Sequence, residues 1–304
     1  MKVSVLINNY NYQAYVLEAV ESVLNQSVLV DEIIVVDDGS TDQSADRLKE
    51  RFANSDLVKL ILKQQNEGQL AAFQTGFDAS IGDIVCFLDA DDLYHEKYIE
   101  ALLAFYRDHL DCEFLFTCAE LFGNETRIAS RYDRTRNLGC SRISTLYQRS
   151  WIGHRTSTLS MRRFVLDKIL PIPYLEDWRI RADDCLTYGS SIVGAHKYYL
   201  AEPLVRYRVH GNNGHYGRSK TRSSDYFQQY EAALDRLFQF WIDQYQYPPD
   251  LNQLAHIEFK SIEQPLYEEF ETVRSLIRGS TVSKPRKWFM LWSAYLHFFR
   301  HGIR

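Results

Sequence analysis

Cysteine is scarce in this 304-residue chain. Its five residues, Cys86, Cys112, Cys118, Cys140 and Cys185, include no Cys-x-x-Cys pair. That pattern excludes a disulfide framework and a cysteine-built zinc site, and it points to free thiols in a reducing, cytoplasmic setting. Basic charge is not in excess, with 35 Lys and Arg against 40 Asp and Glu, so nothing global marks a nucleic-acid binder. With 14 Gly and 7 Pro the chain is neither fibrous nor linker-dominated. No apolar run reaches the ~18 residues of a membrane span. The first residues enter a strand pattern at once, Val3-Ser4-Val5-Leu6-Ile7, leaving no room for a signal peptide. What remains is ordinary globular composition, 45% hydrophobic and 25% charged, long enough to bury a large core without a staple.

The N-terminal third alternates between two hydrophobic periods. Val3 to Ile7 reads as a strand, and Tyr15 to Gln26 carries Val16, Ala19, Val20, Val23 and Leu24 at helical spacing. Ile33-Ile34-Val35-Val36 is a continuous β-branched run, the mark of a strand buried on both faces. Ser40-Thr41-Asp42-Gln43 has the form of a capping box opening a helix toward Phe52. Leu57 to Leu62 reads as a third strand, Gln69 to Ser80 as a helix and Ile84 to Leu88 as a fourth strand. A further helix follows, with Tyr98, Ile99, Leu102, Leu103, Phe105 and Tyr106 on its buried side. Such alternation implies right-handed crossovers and a parallel sheet, whose ligands bind at the carboxyl ends of the strands.

Those ends carry acids. Asp37-Asp38-Gly39-Ser40 follows the second strand and Asp89-Ala90-Asp91-Asp92 follows the fourth. No Gly-x-Gly-x-x-Gly or Gly-x-x-x-x-Gly-Lys-Ser/Thr follows any strand, which excludes a dinucleotide fingerprint and a P-loop. Carboxylates in place of glycines can hold a cation, a sugar hydroxyl or a base N–H, but they repel a bare phosphate. A Mg²⁺ or Mn²⁺ ion resolves that conflict, because hard oxygen ligands suit it and substrate phosphates complete its shell.

Four stretches, VSVLINNYNY, IIVVDDGSTD, NEGQLAAFQTGF and CFLDADDLY, in this order and spacing, resemble the family 2 glycosyltransferases of the GT-A fold. The resemblance covers about residues 1–110 and extends more weakly to about 215, through ADDCL at 182–186 and EPLVRYRVHGNN at 202–213. It implies an α/β fold, Rossmann-like, with a mostly parallel central sheet. Residues 1–215 would form the catalytic domain and 216–304 a C-terminal helical region. The implied reaction moves a sugar from a nucleotide-sugar, a UDP-sugar, to the hydroxyl of a saccharide or lipid-linked acceptor, as in polysaccharide or glycoconjugate synthesis.

By the same resemblance Asn8, Asn9 and Tyr10 line the nucleobase pocket, and Asp38 accepts the uracil N3–H. Asp89 holds the ribose hydroxyls, and Asp91 binds the metal that bridges the diphosphate. Asp183 or Asp184 is the general base. The chain departs from the family pattern at Ala182, which occupies a Glu slot, and at Ala72-Phe73-Gln74, where members carry Ala-Arg-Asn. Gln69 matches a Gly-Gln variant of that motif and is expected at the donor. One base and an in-line displacement invert the anomeric centre. Two alternatives stand beside this reading: a non-catalytic nucleotide-sugar-binding protein of the same fold, and a phosphohydrolase of the haloacid dehalogenase type, whose Asp-x-Asp-Gly-Thr is not matched by Asp89 to Leu93.

Other segments have two readings each. His210 reads as a structural loop histidine ahead of a contributor to the metal or diphosphate site, and Tyr12 and Tyr15 as packing residues. Residues 127–163 hold nine arginines against one acid, Asp133, and form either a solvated face or an electropositive wall. Trp151 to Arg155 inside that stretch is an acceptor-side candidate. Gly211 to Ser224 reads as a hinge or loop closing over the donor. Helices are expected from Tyr226 to Tyr245, over about 250–278 and over 285–300, with a break at Pro248-Pro249. The last segment sets Trp288 to Phe299 between Lys284, Arg286, Lys287, Arg300 and Arg304. It reads as a helix docked on the catalytic domain or on a second subunit of a homo-oligomer, ahead of a peripheral contact with the inner face of the membrane.

Overall fold

The computed structural model describes residues 1–211, 213 and 223–303. Most of the expected hinge at Gly211 to Ser224 lies outside the described residues. The chain opens β1 (Val3–Asn9), α1 (Val16–Leu24), β2 (Glu32–Asp37), α2 (Ser44–Phe52), β3 (Val58–Leu62), α3 (Gln69–Asp78) and β4 (Ile84–Asp89). It continues β5 (Leu93–Tyr94), α4 (Tyr98–Asp108), β6 (Phe114–Gly123), β7 (Arg127–Ala129), β8 (Arg136–Gly139), α5 (Arg142–Gln148), β9 (Leu159–Arg162) and α6 (Arg163–Ile169). Then come α7 (Ala182–Ile192), β10 (Lys197–Val209), α8 (Ser224–Tyr245), α9 (Ala255–Glu258), α10 (Tyr267–Gly279) and α11 (Lys284–His301). Among the described residues one sheet runs β3-β2-β1-β4-β9-β6-β10-β5, with β7 beside β6 and β8 beside β10. The longest registers, β1 with β2 and β4, β2 with β3, and β6 with β10, are parallel. The short strand β9 enters antiparallel between β4 and β6.

The β-branched run of β2 explains itself in this sheet. Ile34 and Val36 enter one core with Leu6, Phe87 and the α3 residues Leu70, Phe73 and Phe77. Ile33 and Val35 enter the other with Val5, Ile7, Leu88 and the α1 residues Ala19, Val20 and Val23. Side chains alternate across a strand, so a strand covered by helices on both faces must be apolar at every position. The sheet is therefore the middle of three layers. Its parallel half ends on one edge at Asn9, Asp37 and Asp89.

Helix α8 joins the first core through Leu234, Leu237, Phe238 and Trp241. Helices α9 to α11 and Ile143 of α5 build a third, smaller core around Phe259, Ile277, Met290 and Ala294. Two sequence expectations fail locally. The capping box at Ser40 to Gln43 does not form, because α2 starts only at Ser44 and has no side-chain cap at Gln43. The Ser40 hydroxyl instead accepts from the Asn11 backbone at 2.9 Å and from Asn9 Nδ2 at 3.2 Å, while Asp42 accepts from the Ser44 N–H at 2.9 Å. The expected helix over 250–278 is broken into short turns before α10. Ile262 leaves helical geometry and Pro265, whose ring lacks an N–H, stands just before the new start.

Candidate active site

The carboxyl ends of β1, β2 and β4 open on a cleft of about 1000 Å³. Asn8, Asn9, Tyr10, Asp38, Gln69, Asp89, Asp91, Asp183 and Asp184, the candidates read from the sequence, all line it. Strand register explains the first group, since Asn8 pairs with Asp89 and Asn9 with Asp37. Asn9 donates to Asp37 at 2.6 Å, which stiffens the loop carrying Asp38. Asp38 is buried against Lys63 Nζ at 2.8 Å and accepts from the Gly68 N–H at 2.6 Å. Asn8, with its amide nitrogen turned toward Asp89, donates to that carboxylate at 2.9 Å. Gln69 spans the cleft floor: its amide nitrogen donates to Asp89 at 2.8 Å and its oxygen accepts from the Ala182 N–H at 3.0 Å.

Three acids crowd the end of β4. Burial, then the charge of Asp91, pushes Asp89 up to about 7. The same two causes raise Asp92 well above the carboxylate range. Asp92 is turned inward and held by Ser157 at 2.6 Å and the Arg208 N–H at 2.8 Å. Asp91 faces the cleft, and His210 Nε2 lies 2.9 Å from its Oδ2. His210 thus sits on the acid expected to meet the metal, a contact that fits both of its readings. The rings of Tyr12 and Tyr15 lie beside it, with centroids 5.9 and 5.1 Å away, and Tyr12 also lines the cleft. The cleft-facing carboxylate of Asp91 is the hard oxygen ligand that Mn²⁺ or Mg²⁺ would take. Among the described residues no three His, Cys, Asp or Glu groups are set to cage an ion.

The opposite wall comes from the first turn of α7. Asp184 is tied: Arg181 Nε lies 2.6 Å from its Oδ2 and the Tyr230 hydroxyl of α8 donates to it at 2.8 Å. The Arg181 guanidinium also sits 4.1 Å over the Tyr230 ring. Asp183 keeps partial exposure to the cleft, and burial followed by the Asp184 charge pushes it up to about 8. The Trp151 to Arg155 segment closes this side, with Trp151, His154 and Arg155 on the lining. Buried Lys197 pins it to α7 by donating to Ile152 O and Thr187 O, each at 2.9 Å.

The Glycosyl transferase family 2 model matches residues 4–170 of this chain. The chain belongs to that family. An uncharacterized glycosyltransferase of Nostoc sp. (strain PCC 7120) is 36% identical over 226 residues, covering 73% of this chain and 69% of its own. Chondroitin synthase of Escherichia coli is 26% identical over 271 residues, covering 87% of this chain but only 37% of its own length. Among solved structures, S. aureus TarS in complex with UDP-GlcNAc superposes with a TM-score of 0.58 at 18% identity, covering 99% of this chain and 74% of that one. At that identity the likeness carries the fold, and it agrees with the sheet described above. The chain is a transferase of the glycosyltransferase class, which sets aside the phosphohydrolase reading.

The arginine-rich stretch of this glycosyltransferase is mixed: Arg127, Arg131 and Arg134 are exposed, as on a solvated face, while others are tied into the fold. Arg136 is buried against Glu269 at 2.9 Å, and Arg142 donates to Ile192 O and Val193 O, each at 2.8 Å. Arg162 and Arg163 donate to Cys112 O and Gly82 O, each at 2.7 Å. These arginines clamp carbonyls and the C-terminal helices, and Arg155 alone of the nine lines the cleft. The family's Ala-Arg-Asn arginine is absent, but Arg179 and Arg181 line the cleft from the segment before α7. Sequence reasoning missed both, since nothing in their spacing marks them. Gly68 makes room for Arg179: it sits at φ +100°, where a Cβ would lie 2.5 Å from the Arg179 Cα. Gly68→Ala is therefore expected to lower stability by about 1–3 kcal/mol or more, read as a reduced urea midpoint. An unchanged midpoint would show that the two segments part freely.

Proposed function

We propose that the cleft transfers a sugar from a UDP-sugar to an acceptor hydroxyl with inversion, using Asp183 as the general base and a divalent cation held by Asp91. One observation carries this reading. A paired carboxylate, Asp184, and a cavity-facing one, Asp183, lie across a single cleft from the Asp89/Asp91 cluster. That TarS is described in complex with UDP-GlcNAc supports a UDP-linked donor for a chain of the same fold.

Asn8, Asn9, Tyr10 and Asp38 receive the nucleobase in this scheme. Asp89, steadied by Asn8 and Gln69, takes the ribose hydroxyls. A bound divalent cation supplies positive charge against the leaving diphosphate, worth several kcal/mol in such sites. Arg179 adds fixed charge on the same cleft. Asp183 accepts the acceptor's hydroxyl proton at its carboxylate. Its raised pKa makes it a stronger base once ionised. Asp184, neutralised by Arg181, keeps the first turn of α7 in place. The acceptor enters beside Trp151 and Tyr188, which offer aromatic faces to a saccharide.

The test is UDP release from UDP-sugars with Mn²⁺ and a panel of saccharide and lipid-linked acceptors, followed by NMR of the product anomer. Retained anomeric configuration would overturn the single-base scheme. A pH profile gives an independent check. Asp183 must be ionised to act, so kcat/KM for the acceptor rises with pH along an acid limb. Burial and Asp184 raise Asp183 to about 8, so that limb should lie well above the range of an ordinary Asp. Asp184→Asn removes the like charge and leaves Arg181 uncompensated, and both changes move the limb to lower pH. A limb that stays put would remove Asp183 from the base role.

A further inference from the structure

Helix α11 has two faces. One is docked: Met290, Ser293 and Ala294 are buried, His297 Nε2 lies 2.8 Å from Ile262 O, and Phe298 stacks on Phe270 at 5.0 Å. The other carries Trp288, Trp292, Tyr295 and Phe299, which are 74%, 59%, 51% and 59% exposed. Their spacing of four, three and four residues puts them in one stripe along three turns of the helix. Lone exposed aromatics need no explanation, but a continuous stripe of four on a firmly seated helix does. No Asp or Glu occurs anywhere in α11, while Lys284 and Arg286 stand exposed at its start and Arg300 at its end. This charge contrasts with a chain that is −5 overall.

We propose that α11 seats the protein on an anionic lipid surface, with the aromatic stripe in the interface and the flanking cations on headgroup phosphates. Trp and Tyr prefer that depth because one end of the ring system is apolar and the other polar. Each nearby Lys or Arg adds attraction to an anionic leaflet. The charge pattern disfavours a second copy as the occupant. A two-fold pairing of the stripe would set cation-flanked helix ends against their own duplicates, with no carboxylate on α11 to meet them. The contact is superficial, since no helix among the described residues is long and apolar enough to cross a membrane.

The 304-residue chain should float with phosphatidylglycerol vesicles and bind pure phosphatidylcholine vesicles less, with tryptophan emission moving to the blue on binding. Trp288→Ser with Trp292→Ser should weaken vesicle binding about tenfold or more at an unchanged thermal midpoint, because both side chains are exposed. Lys284→Glu with Arg300→Glu should weaken it as well, without touching the stripe. Vesicle binding equal to wild type in both double variants overturns the proposal, as does a wild type that stays at the bottom of the gradient. A concentration-dependent dimer that the tryptophan variant dissolves, with no vesicle binding, reassigns the face to a second copy. None of these readouts depends on glycosyl transfer.

Discussion

Asp183→Asn is expected to lower kcat about 10²–10⁴-fold, the range of a lost general base, while donor affinity stays near wild type. The replacement keeps shape and removes only the ability to take a proton. It also removes one of the two like charges at the start of α7, so folding should not suffer. The neighbouring Asp184→Asn is expected to behave differently. Arg181 would lose its carboxylate at 2.6 Å and the Tyr230 hydroxyl would keep only a neutral acceptor. Leaving a largely enclosed guanidinium unpaired costs stability, so the main effect there is a lowered thermal midpoint with a smaller loss in kcat. Steady-state kinetics and thermal melts on the two variants decide the matter. If Asp184→Asn loses more turnover than Asp183→Asn, the roles are reversed.

Asp91→Asn is expected to abolish Mn²⁺-stimulated transfer, a loss on the order of 10³-fold, and to raise the thermal midpoint of the ligand-free protein. The two effects have one origin. The Asp91 charge helps to raise both Asp89 and Asp92, so the ligand-free cleft carries a repulsion that a cation and diphosphate would relieve. Removing that charge deletes the expected cation ligand and the repulsion together. His210 can still donate to the amide oxygen that the substitution leaves in place, so the local hydrogen bond survives. Such opposition between stability and activity is common where charges are gathered for a ligand. A variant with lower stability and full metal response would place the cation elsewhere.

The parallel half of the sheet and its acidic rim were legible because both rest on local pattern. Ile33 to Val36 read as a strand covered on both faces, and Asp89 to Asp92 as the end of one and the turn just past it. Contacts between distant segments were not legible. His210 meets Asp91 across 119 positions, and Tyr230 meets Asp184 across 46. No periodicity encodes either meeting. The capping box at Ser40 failed for a related reason: a hydroxyl that satisfies a local rule was claimed by Asn9 and Asn11, which only the packed β1 and β2 bring near. Charge counting could not separate the exposed Arg127, Arg131 and Arg134 from Arg142, Arg162 and Arg163, whose guanidinium groups are bonded to backbone carbonyls.

Gln69 gives the cleft a mechanical linkage. One planar amide holds the Asp89 carboxylate with its nitrogen and the opening N–H of α7 with its oxygen. If Asp89 takes the ribose hydroxyls as proposed, a shift of that carboxylate on donor binding would be passed through Gln69 to the start of the helix that presents Asp183.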